Sequence, residues 1–406
     1  MSAADLSDSK LPTVIGILIV GAGPAGLGVA QALLACGIED LLVVDRKGVG
    51  ASFEAWPQQM QLLTPSFHSN PYQQPDLNAI TPDTSPADYL GTQHPCGTQY
   101  ASYLRGVAEH YHIPVESWTT VLEVQKLLEG WLVTTSRGIV HCQFLIWAGG
   151  EFQFPERGRI AGTEGLSHAS EVADWTTLDG VEHAVIGGYE SGVDAAINLA
   201  KQGKTVHLLS RGEPWHTNDP DPSKALSPHT RDRLREVFVQ RPGSIRFYKN
   251  ADIVRVEKLR DDYLLFDAED TPLQVSTPPI LATGFKGSLG LIAGYLEWEA
   301  GRPVFSEASD ESTVAENLFY CGPLLRHRGS MFCFIYKFRA RFGIVARTIA
   351  ERMGVEWQKP LARHAACGFM IEDLSCCTDC QCAVAAVGED PPEVRDFKGS
   401  VLPAVC

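Results

Sequence analysis

Residues 17–46 read ILIVGAGPAGLGVAQALLACGIEDLLVVDR, and the remainder of the chain is organised around this stretch. Ile17–Val20 is an apolar run of strand length, and Gly21, Gly23 and Gly26 follow it at the spacing of a dinucleotide-binding turn. An amphipathic helix then runs from Pro24 to near Gly37, and a second strand, Leu41–Val44, is closed by Asp45, with Arg46 next. Each glycine has a physical task. Gly21 permits the tight turn, Gly23 lets the backbone approach a pyrophosphate, and Gly26 lets the helix lie close on the strand. Beside Pro24 and Ala25 the helix start offers N–H groups and its positive dipole end to the phosphates. Asp45 falls where a carboxylate accepts hydrogen bonds from a ribose.

A second stretch, HAVIGGYESGVDAAINLAKQGKTVHLLSR at 183–211, repeats the plan, with Gly187, Gly188, Ser191 and Gly192 in its turn. Where the first unit has Asp45, this one has Ser210 and Arg211. A hydroxyl and a guanidinium suit a ribose carrying an extra phosphate, so the expected ligand of this turn is NADPH. FLIWAGG (144–150) and PPILATG (278–284) are apolar strands ending in small-residue turns, with Gly149, Thr283 and Gly284 at two crossings between domains. His168, in the linker between them, reads as a surface or hinge histidine. The alternating segment before WAGG reads as a meander covering one face of the first domain. The long Pro- and Gln-rich excursion after Asp45 carries Ser52 and Trp56 and is of the kind that lines a ligand. A last apolar strand, Leu318–Tyr320, leads into Gly322 and Pro323, and 331–353 reads as a single apolar helix that starts beside the cofactor.

At 406 residues there is room for two domains with full-sized cores. A formal net charge of −15 argues against nucleic acid or an anionic membrane as the main partner. No stretch approaches the roughly 20 apolar residues of a membrane span, and the polar start is unlike a signal peptide, so a cytoplasmic location is expected. Of the 11 cysteines, Cys36, Cys96, Cys142, Cys321 and Cys333 are scattered and read mostly as small buried hydrophobes. SCCTDCQC at 375–382 is different. Cys376, Cys377, Cys380 and Cys382 are spaced for thiol–disulfide exchange, or to close a tetrahedral metal site.

The order GAGPAG, Asp45, WAGG, GGYESG, LATG and CGP resembles the two-dinucleotide-domain flavoproteins, which hold FAD in one domain and NAD(P)H in the other. VGASFEAWPQQMQLLTP (49–65) is similar to the matching segment of CzcO-like and flavin-containing monooxygenases and of bacillithiol disulfide reductases. The resemblance implies an α/β chain with two Rossmann-like domains: FAD-binding parts at 12–155 and 286–355, an inserted NAD(P)H domain at 156–285, and a Cys-rich tail at 356–406. It implies an FAD grip from Gly21, Gly23, Pro24, Ala25, Gly26, Asp45, Arg46, Ser52, Trp56, Gly149, Gly322 and Pro323. NADPH would lie on Gly187, Gly188, Ser191, Gly192, Ser210, Arg211, Thr283 and Gly284.

Departures from the relatives decide the expected chemistry. Bacillithiol disulfide reductases carry a cysteine directly after the glycine turn, where this chain has Ala25, and residues 156–280 lack the cysteine pair of thioredoxin reductases. The Baeyer–Villiger spacing is missing from GLSHASEVADW (165–175). Without a flavin-side thiol, the first expectation is a monooxygenase-like enzyme in which NADPH reduces FAD, the flavin activates dioxygen for a small substrate, and Trp56 shapes the ring site. The alternative is a disulfide reductase relaying electrons through Cys376, Cys377, Cys380 and Cys382 to a thiol partner, most easily across a homodimer. A third reading is a non-catalytic flavoprotein sensor or metal-handling protein.

Overall fold

The computed structural model describes residues 11–375, apart from 69–74, 218, 220 and 222, together with residues 394–397. Cys376, Cys377, Cys380 and Cys382 lie outside the described residues.

The chain opens with β1 (Val14–Val20), α1 (Pro24–Ala35) and β2 (Leu41–Val44), followed by α2 (Ala51–Glu54), α3 (Pro86–Leu90), α4 (Gly97–His110) and β3 (Val115–Glu116). β4 (Val121–Lys126), β5 (Trp131–Thr135) and β6 (Gly138–Trp147) form a meander. β6 belongs to two arrangements. Its first half pairs antiparallel with β5, while its second half pairs parallel with β1, Ile17 opposite Phe144 and Val20 opposite Trp147. The meander therefore extends the sheet, in the order β3-β2-β1-β6-β5-β4, rather than covering one of its faces as the alternation suggests. Strands with neighbours on both sides and helices over them need no polar face, which is why ILIV and FLIW are unbroken apolar runs. Each Ile, Leu or Phe so buried contributes about 1.5–3 kcal/mol.

A second sheet begins at β7 (Glu182–Ile186) and continues through α5 (Glu190–Lys201), β8 (Thr205–Leu209), α6 (Pro228–Gln240) and β9 (Ile245–Lys249). β10 (Ile253–Lys258), β11 (Tyr263–Asp267) and β12 (Pro272–Val275) form a separate antiparallel sheet. β13 (Ile280–Leu281) then returns beside β7, giving parallel neighbours β13-β7-β8-β9. His168 is fully buried, its Nδ1 2.8 Å from Ser170 Oγ, so it is a core residue and not a surface one.

The hairpin of β14 (Glu297–Glu299) and β15 (Arg302–Val304) leads to β16 (Leu318–Tyr320), which joins the first sheet parallel to β6. A tight hairpin, β17 (Arg326–His327) and β18 (Ser330–Met331), precedes α7 (Ile335–Phe338), α8 (Phe342–Met353) and α9 (Ala362–Ala366). The single helix expected over 331–353 is thus interrupted, with a 3-10 turn at Arg339–Arg341 between α7 and α8. The cause is competition for the helix ladder. Arg341 turns inward to the buried Asp310, Nε to Oδ2 at 2.9 Å, and Arg339 donates to the Ala79 carbonyl at 2.8 Å. Meanwhile the Gly343 N–H is taken by Phe369 O at 2.9 Å. Finally β19 (Val394–Asp396) pairs parallel with β9, and Phe397 is buried behind it.

Among the described residues the chain forms two compact units. One holds the chain up to Glu54, Pro65–Gln153, and the stretch from Gly287 to Ser375; the other holds Ala55–Thr64, Phe154–Lys286 and residues 394–397. Both are mixed α/β. No described helix is long and apolar enough to cross a membrane.

Candidate functional site

The turn after β1 divides its glycines by task. Gly21 sits at φ +112°, and a Cβ there would lie 2.3 Å from the Ala148 carbonyl oxygen; at Gly26 it would lie 1.9 Å from Gly21 O. At Gly23 the same atom would meet nothing within 4 Å among the described residues. The outer glycines serve packing, whereas the middle one leaves open space at the N-cap of α1, beside Pro24 and Ala25. Such space at a helix N-terminus fits a pyrophosphate. Asp45 clamps the turn, Oδ2 accepting from Ala22 N at 2.9 Å and Oδ1 from Lys47 N and Gly48 N at 2.8 Å. Oδ2 keeps a lone pair for a ribose hydroxyl. Arg46 donates to Gln153, whose Nε2 donates to Gly149 O at 2.9 Å. Ser52 is exposed on α2.

β1, β6 and β16 run parallel and end at one edge of the first unit, joined there by Ala148 N to Val20 O at 2.8 Å and Cys321 N to Trp147 O at 3.0 Å. Gly149 has no room for a side chain, because its Cβ would lie 2.7 Å from Ser288 Oγ. Gly322, at φ +144°, turns beneath the Tyr320 hydroxyl and is followed by half-buried Pro323. Several charged groups converge here that the sequence did not single out. Burial pushes the Glu151 carboxyl up to about 7, partly offset by the Arg326 guanidinium. Arg326 is itself lowered by burial and interacts electrostatically with Arg302, Cys333, Glu151 and Tyr320. Its Nη1 is buried without a hydrogen-bond partner among the described residues.

In the second unit, Gly187 (φ +118°) and Gly192 repeat the roles of Gly21 and Gly26: their Cβ atoms would meet Ala282 O at 2.2 Å and Gly187 O at 1.7 Å. Gly188 does not take the role of Gly23. A Cβ on it would lie 2.5 Å from that of Ser210 and 2.9 Å from the Trp215 ring, so it packs against the end of β8. The N-cap of α5 is Tyr189, at φ −92° and ψ −167° beside −91° and −171° for Gly23. Its hydroxyl donates to Ala225 O at 3.2 Å. Glu190 follows, accepting from Thr230 Oγ1 at 2.6 Å and from Ser227 N, and burial pushes its carboxyl up. A carboxyl held toward its neutral form repels a nearby phosphate less. Ser191 is half-buried in the first turn of α5, and Ser210 is buried. Arg211 is exposed just past β8, with no ion pair or hydrogen bond among the described residues. Thr283 donates to Glu156 O beside Gly284, which sits at φ +90°.

Trp56 lies in the second unit with Ala55–Thr64. The neighbouring Gln59 braces that unit: Nε2 donates to Asp174 Oδ1 at 2.7 Å and Oε1 accepts from Trp175 N at 3.1 Å. The structure thus gathers Gly21, Gly23, Pro24, Ala25, Gly26, Asp45, Arg46, Ser52, Gly149, Gly322 and Pro323 in the first unit, and Trp56 with the remaining described candidates in the second. Cys36, Cys142 and Cys321 are buried, and burial pushes their thiols up, the first to about 11 and the second to about 12. They are inert packing residues. Cys333 alone of the described cysteines is exposed.

The profile of the pyridine nucleotide-disulphide oxidoreductase family matches residues 18–322. Bacilliredoxin reductase Bdr of Bacillus subtilis is 27% identical over 341 residues, covering 82% of this chain and 97% of that protein. The flavin-containing monooxygenase FMO GS-OX4 of Arabidopsis thaliana is 24% identical over 276 residues, 60% of this chain and 58% of that protein. Among solved structures, the bacillithiol disulfide reductase Bdr from Staphylococcus aureus has a TM-score of 0.68 at 20% identity, over 84% of this chain and 99% of that one. A flavin-containing monooxygenase from Stenotrophomonas maltophilia has a TM-score of 0.65 at 16% identity, over 84% and 100%. At such identities the structural likeness carries the fold, and one fold serves both chemistries.

Proposed function

The chain belongs to the pyridine nucleotide-disulphide oxidoreductase family, and from that membership we propose that it passes electrons from NADPH through FAD to a small-molecule disulfide. It is an FAD- and NAD(P)H-dependent oxidoreductase. What favours a disulfide as acceptor is the extent of likeness: the alignment runs along 97% of a bacilliredoxin reductase but 58% of the plant monooxygenase. This reverses the order of the two mechanisms expected from the lack of a flavin-side thiol.

In this reading the two units are Rossmann-like domains, the NADPH domain of about 156–285 being inserted between the two parts of the FAD domain. Gly21, Gly23 and Gly26 hold the FAD pyrophosphate, Asp45 orients the ribose, and the turns at Gly149 and Gly322–Pro323 complete the cradle. Gly187, Ser191, Gly192 and Arg211 hold NADPH, with Arg211 as the partner of the ribose phosphate. Bound FAD would accept the hydride of NADPH, which no side chain can do. The protein's share is to bind, orient and exclude water. A thiol-bearing partner protein would be served through Cys376, Cys377, Cys380 and Cys382, as a homodimer in the reducing cytoplasm.

The lack of a thiol in the glycine turn favours the oxygenase as the second reading. Steady-state NADPH oxidation under argon separates the two. Turnover with cystine, oxidised glutathione or coenzyme A disulfide, in the absence of dioxygen, is the expected result. Oxidation that requires dioxygen and ignores every disulfide would refute the proposal.

A further inference from the structure

At the carboxyl edge of the first unit, the β17–β18 hairpin presents a thiol to a cationic and acidic cluster. Arg326 pairs with Met331, His327 pairs with Ser330, and Phe332 N donates to Leu325 O at 3.1 Å, extending the ladder. Side chains alternate along extended chain, so one face carries Leu325, His327 and Phe332, all buried. The other carries Arg326, Met331 and, one step on, Cys333, which is exposed. His327 is fixed beneath by the buried Asp310 at 2.7 Å, which also holds Arg341, so the hairpin has a rigid base. On the open face Arg326 interacts electrostatically with both Cys333 and Glu151, while its buried Nη1 has no hydrogen-bond partner among the described residues. Glu151 makes no hydrogen bond among the described residues, and it stands just past the end of β6, on the edge where the open turn of Gly23 also lies. In open α/β sheets that carboxyl edge is where ligands bind.

Resting on the proposed disulfide chemistry, we propose that Cys333 is the thiol that forms a mixed disulfide with the substrate, with Arg326 holding its thiolate and Glu151 delivering the proton to the departing sulfur. The steps balance. The Cys333 thiolate attacks one sulfur of R–S–S–R; the substrate S–S bond breaks, a Cys333–S–S–R bond forms, and the leaving R–S⁻ takes the Glu151 proton. Two electrons from NADPH, which bound FAD would relay, would then break the mixed disulfide, restoring the Cys333 thiolate and releasing the second R–S⁻. Its proton, and that returned to Glu151, come from NADPH oxidation and solvent. A thiolate needs a cation beside it and a disulfide needs access; among the described cysteines Cys333 has both.

The test uses the full-length, FAD-loaded protein, reduced and then exposed to oxidised glutathione, with modification read residue by residue by peptide mass spectrometry. Cys333 is expected to be glutathionylated well ahead of Cys36, Cys142 and Cys321. Arg326→Gln should slow that modification about tenfold at neutral pH, as for a one-unit rise in thiol pKa, and Arg326→Lys should restore most of it. Cys333→Ser, in protein that still melts as the wild type does, should lose anaerobic disulfide turnover. Equal modification rates in wild type and Arg326→Gln, or full turnover in Cys333→Ser, would overturn the assignment while leaving the disulfide reductase standing. A wild-type protein without any disulfide turnover would overturn both.

Discussion

Gly23 and Gly26 lie three residues apart and face different surroundings, one open space and the other the Gly21 carbonyl. Gly26→Ala would drive a methyl into the Gly21 carbonyl and should lower the thermal midpoint of the apoprotein. Gly23→Ala adds a methyl to open space at an ordinary φ of −91°, so the apoprotein should melt unchanged while FAD affinity drops by about tenfold or more. FAD titration of the two variants checks this, and unaltered affinity in Gly23→Ala would contradict the cradle. The glycine pattern was legible in the sequence because tight turns leave few residue choices. Tyr189 was not, since the adjacent pair Gly187–Gly188 invites a reading one position out of frame, and the helix N-cap fixes the true one. Glu151, Arg326 and Cys333 carry no spacing rule at all; one local hairpin carries the last two, and Glu151 joins them from a strand distant in sequence. His364 shows how burial alone sets a pH response. Its Nε2 lies 2.8 Å from Gln31 Oε1, and burial lowers its pKa from 6.5 to about 4. The unfolded chain therefore takes up this proton first, so the associated stability is present above about pH 6.5 and is lost as pH falls toward 4. Denaturant unfolding across that range should show a shallower acid slope for His364→Gln; identical slopes would refute the assignment.

At the scale of elements, apolar strands with neighbours on both sides could be read directly, whereas elements made by distant pairing could not. Ile17–Val20 of β1, Phe144–Trp147 of β6, Ala184–Ile186 of β7 and Leu318–Tyr320, which is β16, announce themselves as short unbroken apolar runs. The break between α7 and α8 is invisible in the local pattern, because it is imposed by Asp310 and by the Phe369 carbonyl. β19 is the clearest case. Val394–Asp396 has no periodic signal, and it is a strand because β9 offers an edge and Phe397 fills a gap behind it. A fully buried phenylalanine truncated to alanine costs about 3–5 kcal/mol. Phe397→Ala should therefore move the urea midpoint of the protein down by a corresponding amount, and an unchanged midpoint would show that β19 contributes nothing to the second unit.

For the molecule as a whole, two nucleotide turns in one chain made the oxidoreductase class readable. The electron acceptor was not readable. Reductase and monooxygenase relatives share this architecture at TM-scores of 0.68 and 0.65, so the acceptor is chosen by a few side chains beside the cofactor and not by the fold. Ala25 pointed away from a disulfide because it is judged against a single expected thiol position; a thiol brought to the same edge by a hairpin from residues 326–331 would satisfy the same chemistry. The oxidative half-reaction decides the matter. The FAD-loaded protein is bleached with one equivalent of NADPH under argon and mixed with cystine, oxidised glutathione or coenzyme A disulfide, and the flavin absorbance is followed. Return of the oxidised flavin spectrum under argon, at a rate that rises with disulfide concentration, is the expected result. A flavin that stays reduced with every disulfide, and reoxidises only when dioxygen is admitted, would contradict it.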